Sequence, residues 1–188
     1  MKKVLKEKIA SDIYRYFGKT KIPFKNRILE NPLNLQYSIL YRKGHFYYNN
    51  PFLRMYYKKR MRRLSFKIGY SIPLETEIGD GLYLGHNAPI IINGQAKIGK
   101  NVNIAQYVTI GADMRGKRKG APIIGNDVWI GAGSVIVGNI TIGNDVVISP
   151  NSFVNFDVKD HCVVVPSTQS RMVSKEKATE GFIGNKVA

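Results

Sequence analysis

The sequence predicts a mainly β fold, a narrow parallel coil, preceded by a helical region. Three observations carry the prediction. An aliphatic residue recurs every six positions from about residue 71; basic and aromatic residues crowd the part before it; one glycine-rich, basic insert interrupts the period.

The repeat decides the fold class, because internal periodicity outranks other signals. Units read IPLETE (72–77), IGDGLY (78–83) and LGHNAP (84–89), then slip by two residues at Ile90 and Ile91. They resume as INGQAK (92–97), IGKNVN (98–103), IAQYVT (104–109) and Ile110. They return as IGNDVW (124–129), IGAGSV (130–135), IVGNIT (136–141), IGNDVV (142–147), ISPNSF (148–153) and VNFDVK (154–159). An aliphatic residue opens each unit, and a small or β-branched one often follows four places later. With both turned inward, three units close one triangular turn, and stacked turns share one core. Gly, Asn and Asp just after the lead position suit corners that need left-handed backbone angles. An ordinary β-sandwich, with turns every 8–12 residues, does not produce a sustained period of six.

Residues 1–70 form a basic, aromatic, mainly helical region. Ser11 or Asp12 is placed to cap a helix beginning DIYRYF. PFLRMYYKKRMRRLSF (51–66) reads as a helix with Pro51 near its start and Leu53, Tyr56, Tyr57, Met61 and Leu64 on one face. This region holds 18 Lys+Arg against 3 Asp+Glu, and the remaining 118 residues hold 11 against 10, so the net +16 is an N-terminal property. A basic surface of this kind suits a membrane surface, a lipid-linked phosphate or an acidic glycan. No recognised nucleic-acid module accompanies it, which leaves a nucleic-acid-binding or scaffold protein as a remote alternative.

The insert lies within GADMRGKRKGAPI. Lead positions 110 and 124 are 14 apart instead of 6. Long loops on a regular scaffold are disproportionately functional. The domain reading is therefore an N-terminal region (1–70), a coil (71–165) with its loop at 111–123, and a C-terminal tail (166–188). One cysteine, Cys162, excludes an intrachain disulfide. No secretory h-region and no run of ~20 apolar residues is present. The expected location is cytoplasmic, with peripheral contact at the inner face of the membrane through residues 1–70.

Residues 71–165 resemble the hexapeptide-repeat acyltransferases, and within them the serine acetyltransferase branch. The resemblance rests on SIPLETEIGDGLYLGHNAPIIINGQAKIGKNVNIAQYVTIG and on IGNDVWIGAGSVIVGNITIGNDVVISPNSFV. With the N-terminal region included, the chain looks closest to the capsule and exopolysaccharide O-acetyltransferase type. The resemblance implies a left-handed coil, acetyl-CoA as acyl donor, and a homotrimer with active sites between subunits. It implies His86 as catalytic base. Gly111 and Ala112 match positions on the pantetheine path, and Ala132 and Gly133 match the small residues against which CoA packs. Ser149 and Pro150 lie one turn further along that wall. Lys117, Arg118 and Lys119 are the candidates for the CoA phosphates.

Two departures bear on the acceptor. Serine-specific members carry an aspartate 15 residues before the histidine, where Ser71 stands, and a second histidine next to a proline, where Ala121 precedes Pro122. The tail also lacks the usual Gly-x-Pro-Ala ending. The expectation drawn from these is acetylation of a sugar hydroxyl in surface polysaccharide biosynthesis, with serine O-acetylation in cysteine biosynthesis as the alternative. Histidine suits the base because its ordinary pKa lies near neutrality, and direct attack without an acyl-enzyme is expected. His45 and His161 read as structural. A zinc site of three coil histidines is not expected, since only His86 falls within the regular coils, and no metal is assigned.

Overall fold

The computed structural model describes residues 2–23 and 32–166. Nearly all of the tail assigned to 166–188 lies outside the described residues. Among the described residues three helices come first: α1 (Lys2–Phe17), α2 (Leu33–Phe46) and α3 (Pro51–Ile68). α1 starts well before Ser11 and Asp12, so neither residue caps a helix. The Ser11 hydroxyl bonds back to the Lys8 carbonyl at 2.7 Å, and Asp12 is fully buried. α3 does start at Pro51. The Asn50 side chain accepts from the Leu53 N–H at 3.0 Å, and Gly69, at φ +75°, ends the helix in the left-handed region. Its inward stripe is Leu53, Tyr57, Met61, Leu64 and Ile68; Tyr56, expected there, is exposed instead.

Residues 70–164 wind a left-handed parallel β-helix of three faces. One face stacks β1 (Tyr70–Ser71), β4 (Ile90–Ile92), β7 (Thr109–Gly111), β10 (Val135–Val137) and β13 (Phe153–Val154). The second stacks β2 (Glu77–Ile78), β5 (Lys97–Ile98), β8 (Ile123–Ile124) and β11 (Thr141–Ile142), with Val158 bridging to Ile142 as a further rung. The third stacks β3 (Tyr83–Leu84), β6 (Asn103–Ile104), β9 (Trp129–Ile130), β12 (Val147–Ile148) and β14 (Val163–Val164). Leads such as Ile98, Ile104, Ile130 and Ile142 are buried. So are the residues four places on, Val102, Val108, Ser134 and Val146. The six-residue pattern is thus the cross-section of the core.

Register shows where the period breaks. Ser71 pairs with Ile91, 20 residues on; Ile91 with Thr109, 18 on; Thr109 with Val135, 26 on; Val135 with Phe153, 18 on. The insert accounts for the third interval, at the edge between first and second faces. The first interval is lengthened elsewhere, at the edge between third and first faces. Tyr83 to Ile91 spans eight residues where Asn103 to Thr109 spans six. This longer corner contains His86.

Corner Asn, Asp and Gly share the left-handed positions, and some corner glycines serve a second purpose. At the edge between second and third faces the left-handed residues are Gly81, Asn101, Asp127, Asp145 and His161, with φ of 73°, 56°, 57°, 52° and 58°. Gly125, two places before Asp127, serves close approach instead: a Cβ there would sit 2.6 Å from the Gly143 carbonyl oxygen of the next turn.

A buried ion pair fastens the helices to the first turn. Arg42 Nε lies 2.8 Å from Asp12 Oδ2, with both side chains almost wholly excluded from solvent. Arg42 also donates to the Ile78 and Gly79 carbonyls at 2.7 and 2.6 Å; Asp12 accepts from Ser38 Oγ and the Leu82 N–H at 2.6 and 2.9 Å. Every strong polar atom of the pair is satisfied, which is the condition for keeping charge in a core.

Candidate active site

The His86 corner projects because it carries two extra residues, and the helical region holds it there. Tyr70, one place before the coil's first exposed position, is buried. Its hydroxyl lies 2.7 Å from the Gly85 carbonyl and 2.8 Å from the His86 carbonyl. Burial pushes the Tyr70 phenol well above its ordinary pKa, so it stays a donor at any physiological pH. Asn34, on α2, donates from Nδ2 to the Leu84 and Gly85 carbonyls at 2.8 and 3.1 Å, and its N–H reaches Asn87 Oδ1 at 3.2 Å. The Tyr16 hydroxyl donates to the Leu84 carbonyl at 2.9 Å and accepts from the Leu84 N–H at 3.1 Å. The carbonyls of three consecutive residues, Leu84 to His86, are therefore fixed from behind, and the exposed imidazole is left facing out.

His86 opens onto a groove of about 290 Å³ that follows this edge along the coil. Gly85, Ala105, Gln106, Ala132 and Pro150 line it from successive turns of this edge, and Tyr83 and Trp129 line it from the third face. Of the residues singled out from sequence, His86, Ala132 and Pro150 share this groove. Gly133 and Ser149 belong to the same edge, Gly133 at φ +72° and Ser149 with its carbonyl accepting from Ser134 and Ser152 at 3.0 and 2.6 Å. A groove walled by glycine, alanine and proline suits a slender, flexible chain lying along it.

The other candidates lie on a different edge. Gly111 ends β7, and Ala112, Lys117, Arg118 and Lys119 belong to the insert that follows. Asp113 and Gly120 exchange backbone hydrogen bonds at 2.9 Å, which closes the insert at its base. The Arg118 carbonyl accepts from the Asn139 N–H at 2.8 Å, laying the loop along the next turn. The exposed Lys117, Arg118 and Lys119 thus decorate the edge between first and second faces, while His86 stands on the edge between third and first.

Ser71 is exposed on β1 and lines a separate groove under α3, whereas its neighbour Tyr70 is the residue that reaches the His86 corner. Ala121 packs against the hydrophobic core. Sequence reading missed Tyr70, Asn34 and the significance of the two-residue slip, which was the available signal. It also missed Tyr107, an exposed aromatic residue at φ +61° on the turn after His86, whose N–H donates to the Pro89 carbonyl at 2.6 Å.

A parallel coil with a projecting histidine and an edge groove defines the class: a hexapeptide-repeat β-helix. Residues 121–155 match the bacterial transferase hexapeptide (six repeats) family. The chain is similar to the serine acetyltransferase of Helicobacter pylori, 33% identical over 112 residues, covering 60% of this chain and 65% of the relative. It is similar to that of Staphylococcus xylosus, 38% identical over 100 residues, covering 53% of this chain and 46% of the relative. The chain thus spans less than two thirds of the length of both. Among solved structures it resembles Entamoeba histolytica serine acetyltransferase isoform 3 in complex with cysteine, at a TM-score of 0.74 and 28% identity, covering 94% of this chain and 63% of that one. Neisseria gonorrhoeae serine acetyltransferase in complex with serine gives a TM-score of 0.74 at 25% identity, covering 90% and 69%.

These relatives overturn the expectation of a sugar acceptor and a polysaccharide setting. That expectation leaned on Ser71 and Ala121 as active-site positions. Within one chain Ser71 lines a different groove from His86, and Ala121 lies on the insert, at another edge of the coil.

Proposed function

We propose that this chain is an acetyl-CoA-dependent O-acetyltransferase whose acceptor is the hydroxyl of serine, with His86 as general base. The observation that carries this reading is the groove joining His86 to Ala132 and Pro150 on one edge of the coil, in a chain similar to serine acetyltransferases. The pantetheine arm lies along the small-residue wall and brings the thioester to the imidazole. The acceptor oxygen attacks the thioester carbonyl as His86 takes its proton. The tetrahedral intermediate then expels the CoA thiolate, which recovers that proton. A well-placed base of this kind contributes about 10²–10⁴ in rate.

The insert enters through assembly. Within one chain its cations stand on another edge from His86, so they meet a groove only across a subunit boundary. A homotrimer, with the Lys117, Arg118 and Lys119 loop of one subunit clamping the CoA phosphates at the groove of the next, supplies that arrangement. Gly111 and Ala112 then line the pantetheine path at the same boundary, opposite Gly133, Ser149 and Pro150.

CoA release with L-serine as acceptor tests the reading. The expected result is turnover that falls by at least about 100-fold in His86→Ala. Absence of CoA release with serine, or undiminished activity in His86→Ala, overturns it.

A further inference from the structure

We propose that the outer face of α3 seats on an anionic phospholipid surface. This inference does not depend on the acceptor or on His86. α3 packs one apolar stripe and carries large apolar side chains among cations on its opposite face. Leu53, Tyr57, Met61, Leu64 and Ile68 face the protein. On the opposite side, at spacings of three and four, run Phe52, Met55, Lys59, Arg62 and Phe66. Phe52, Met55 and Phe66 are 78%, 67% and 79% exposed. Three large apolar side chains held out from a helix that already has a packed side, one of them, Phe66, under the Arg62 guanidinium at 5.6 Å, present an apolar and basic face.

The charge identifies the partner. α3 contains seven Lys and Arg and no Asp or Glu. Among the described residues none of the seven forms an ion pair, the ion pairs there being Lys8–Asp80, Arg42–Asp12, Lys97–Glu77 and His161–Asp145. A second copy of α3 would bring seven more positive charges against these, so self-association through this face is disfavoured. A nucleic-acid backbone would satisfy the cations and leave both phenylalanines in water. An anionic bilayer surface satisfies both: the aromatic and Met side chains enter the headgroup boundary while the cations meet lipid phosphates. Arg54, Lys58 and Arg62, one turn apart, also line a groove of about 620 Å³ beside the first turn of the coil, with Tyr48, Ser65 and Ser71, a recess that fits a phosphate headgroup. Among the described residues no helix is long and apolar enough to cross a membrane, so the contact is along the surface.

Co-sedimentation of the full chain with vesicles tests this. Binding to phosphatidylglycerol–phosphatidylcholine vesicles is expected to exceed binding to phosphatidylcholine alone by tenfold or more, and to weaken steeply as salt rises. Phe52→Ser with Phe66→Ser is expected to reduce it by tenfold or more while circular dichroism and CoA release stay unchanged. Lys59→Gln with Arg63→Gln is expected to flatten the salt dependence. Equal binding to neutral vesicles, or full binding by the double serine variant, overturns the proposal. So does a change in oligomeric mass of that variant, which would show that a second copy covers the face. Displacement from vesicles by soluble glycerol phosphate at millimolar levels would also overturn it, in favour of a small-ligand site in the groove.

Discussion

Tyr70 shows how a buried hydroxyl can govern an exposed imidazole. It touches no reacting group in this structure; it holds the Gly85 and His86 carbonyls, and so sets the direction in which the corner projects. Tyr70→Phe keeps the ring and removes the donor. It is expected to cost about 1–2 kcal/mol of stability and to lower kcat for CoA release about tenfold, with KM for acetyl-CoA little changed. Steady-state kinetics alongside thermal melting separate the two effects. At the far end of the coil His161 behaves differently. Its Nδ1 lies 2.7 Å from Asp145 Oδ2, and that hydrogen bond and charge hold its pKa above the ordinary histidine value. The stabilisation is fully present below the ordinary value and is lost as pH rises through the raised one. Following the His161 ring protons by NMR should show this elevated midpoint, returning to the ordinary range in Asp145→Asn.

At the scale of elements, the coil tolerates length changes at its edges and very little at its rungs. The insert adds residues between β7 and β8 without disturbing the pairing of Thr109 with Val135. Gly125→Ala, by contrast, places a methyl group 2.6 Å from the carbonyl of the turn below. Overpacking of that kind costs about 1–3 kcal/mol, readable as a lowered denaturation midpoint. The helical layer has its own weak point. Asp12→Ala leaves Arg42 charged, buried and unpartnered, at a cost of about 3–5 kcal/mol. Limited proteolysis of that variant should release α1 before the coil is cut.

Seen whole, the molecule was legible where the sequence is periodic. Lead residues and those four places on mark the core because a three-sided coil repeats its environment every six residues, and His86 could be placed on it by spacing. What could not be read was whatever depends on contact between segments distant in sequence. Asn34 bonds to Leu84 and Gly85, 50 and 51 residues away, and no local pattern encodes that. Counting finds Ser71, 15 residues before the histidine; strand alternation turns its neighbour Tyr70 inward, where it reaches the backbone carbonyls of the corner. The loop and groove candidates were grouped by resemblance, yet one chain sets them on different edges. This separation yields a test of assembly. Co-expression of His86→Ala chains with chains carrying Lys117→Ala, Arg118→Ala and Lys119→Ala should restore activity at roughly a quarter of the sites if groove and loop meet across subunits. If each chain builds its own site, the mixture stays as inactive as its parents.

The props behind His86 come from α1, α2 and β1, all of which precede the corner in the chain. Tyr16, Asn34 and Tyr70 must therefore wait for the turn containing Leu84, Gly85 and His86 before their hydrogen bonds can form. Winding the coil and arming the histidine are two events, and the second needs the helices seated. The set of the His86 corner then reports the docking of the helices on the first turn, not merely the presence of a β-helix.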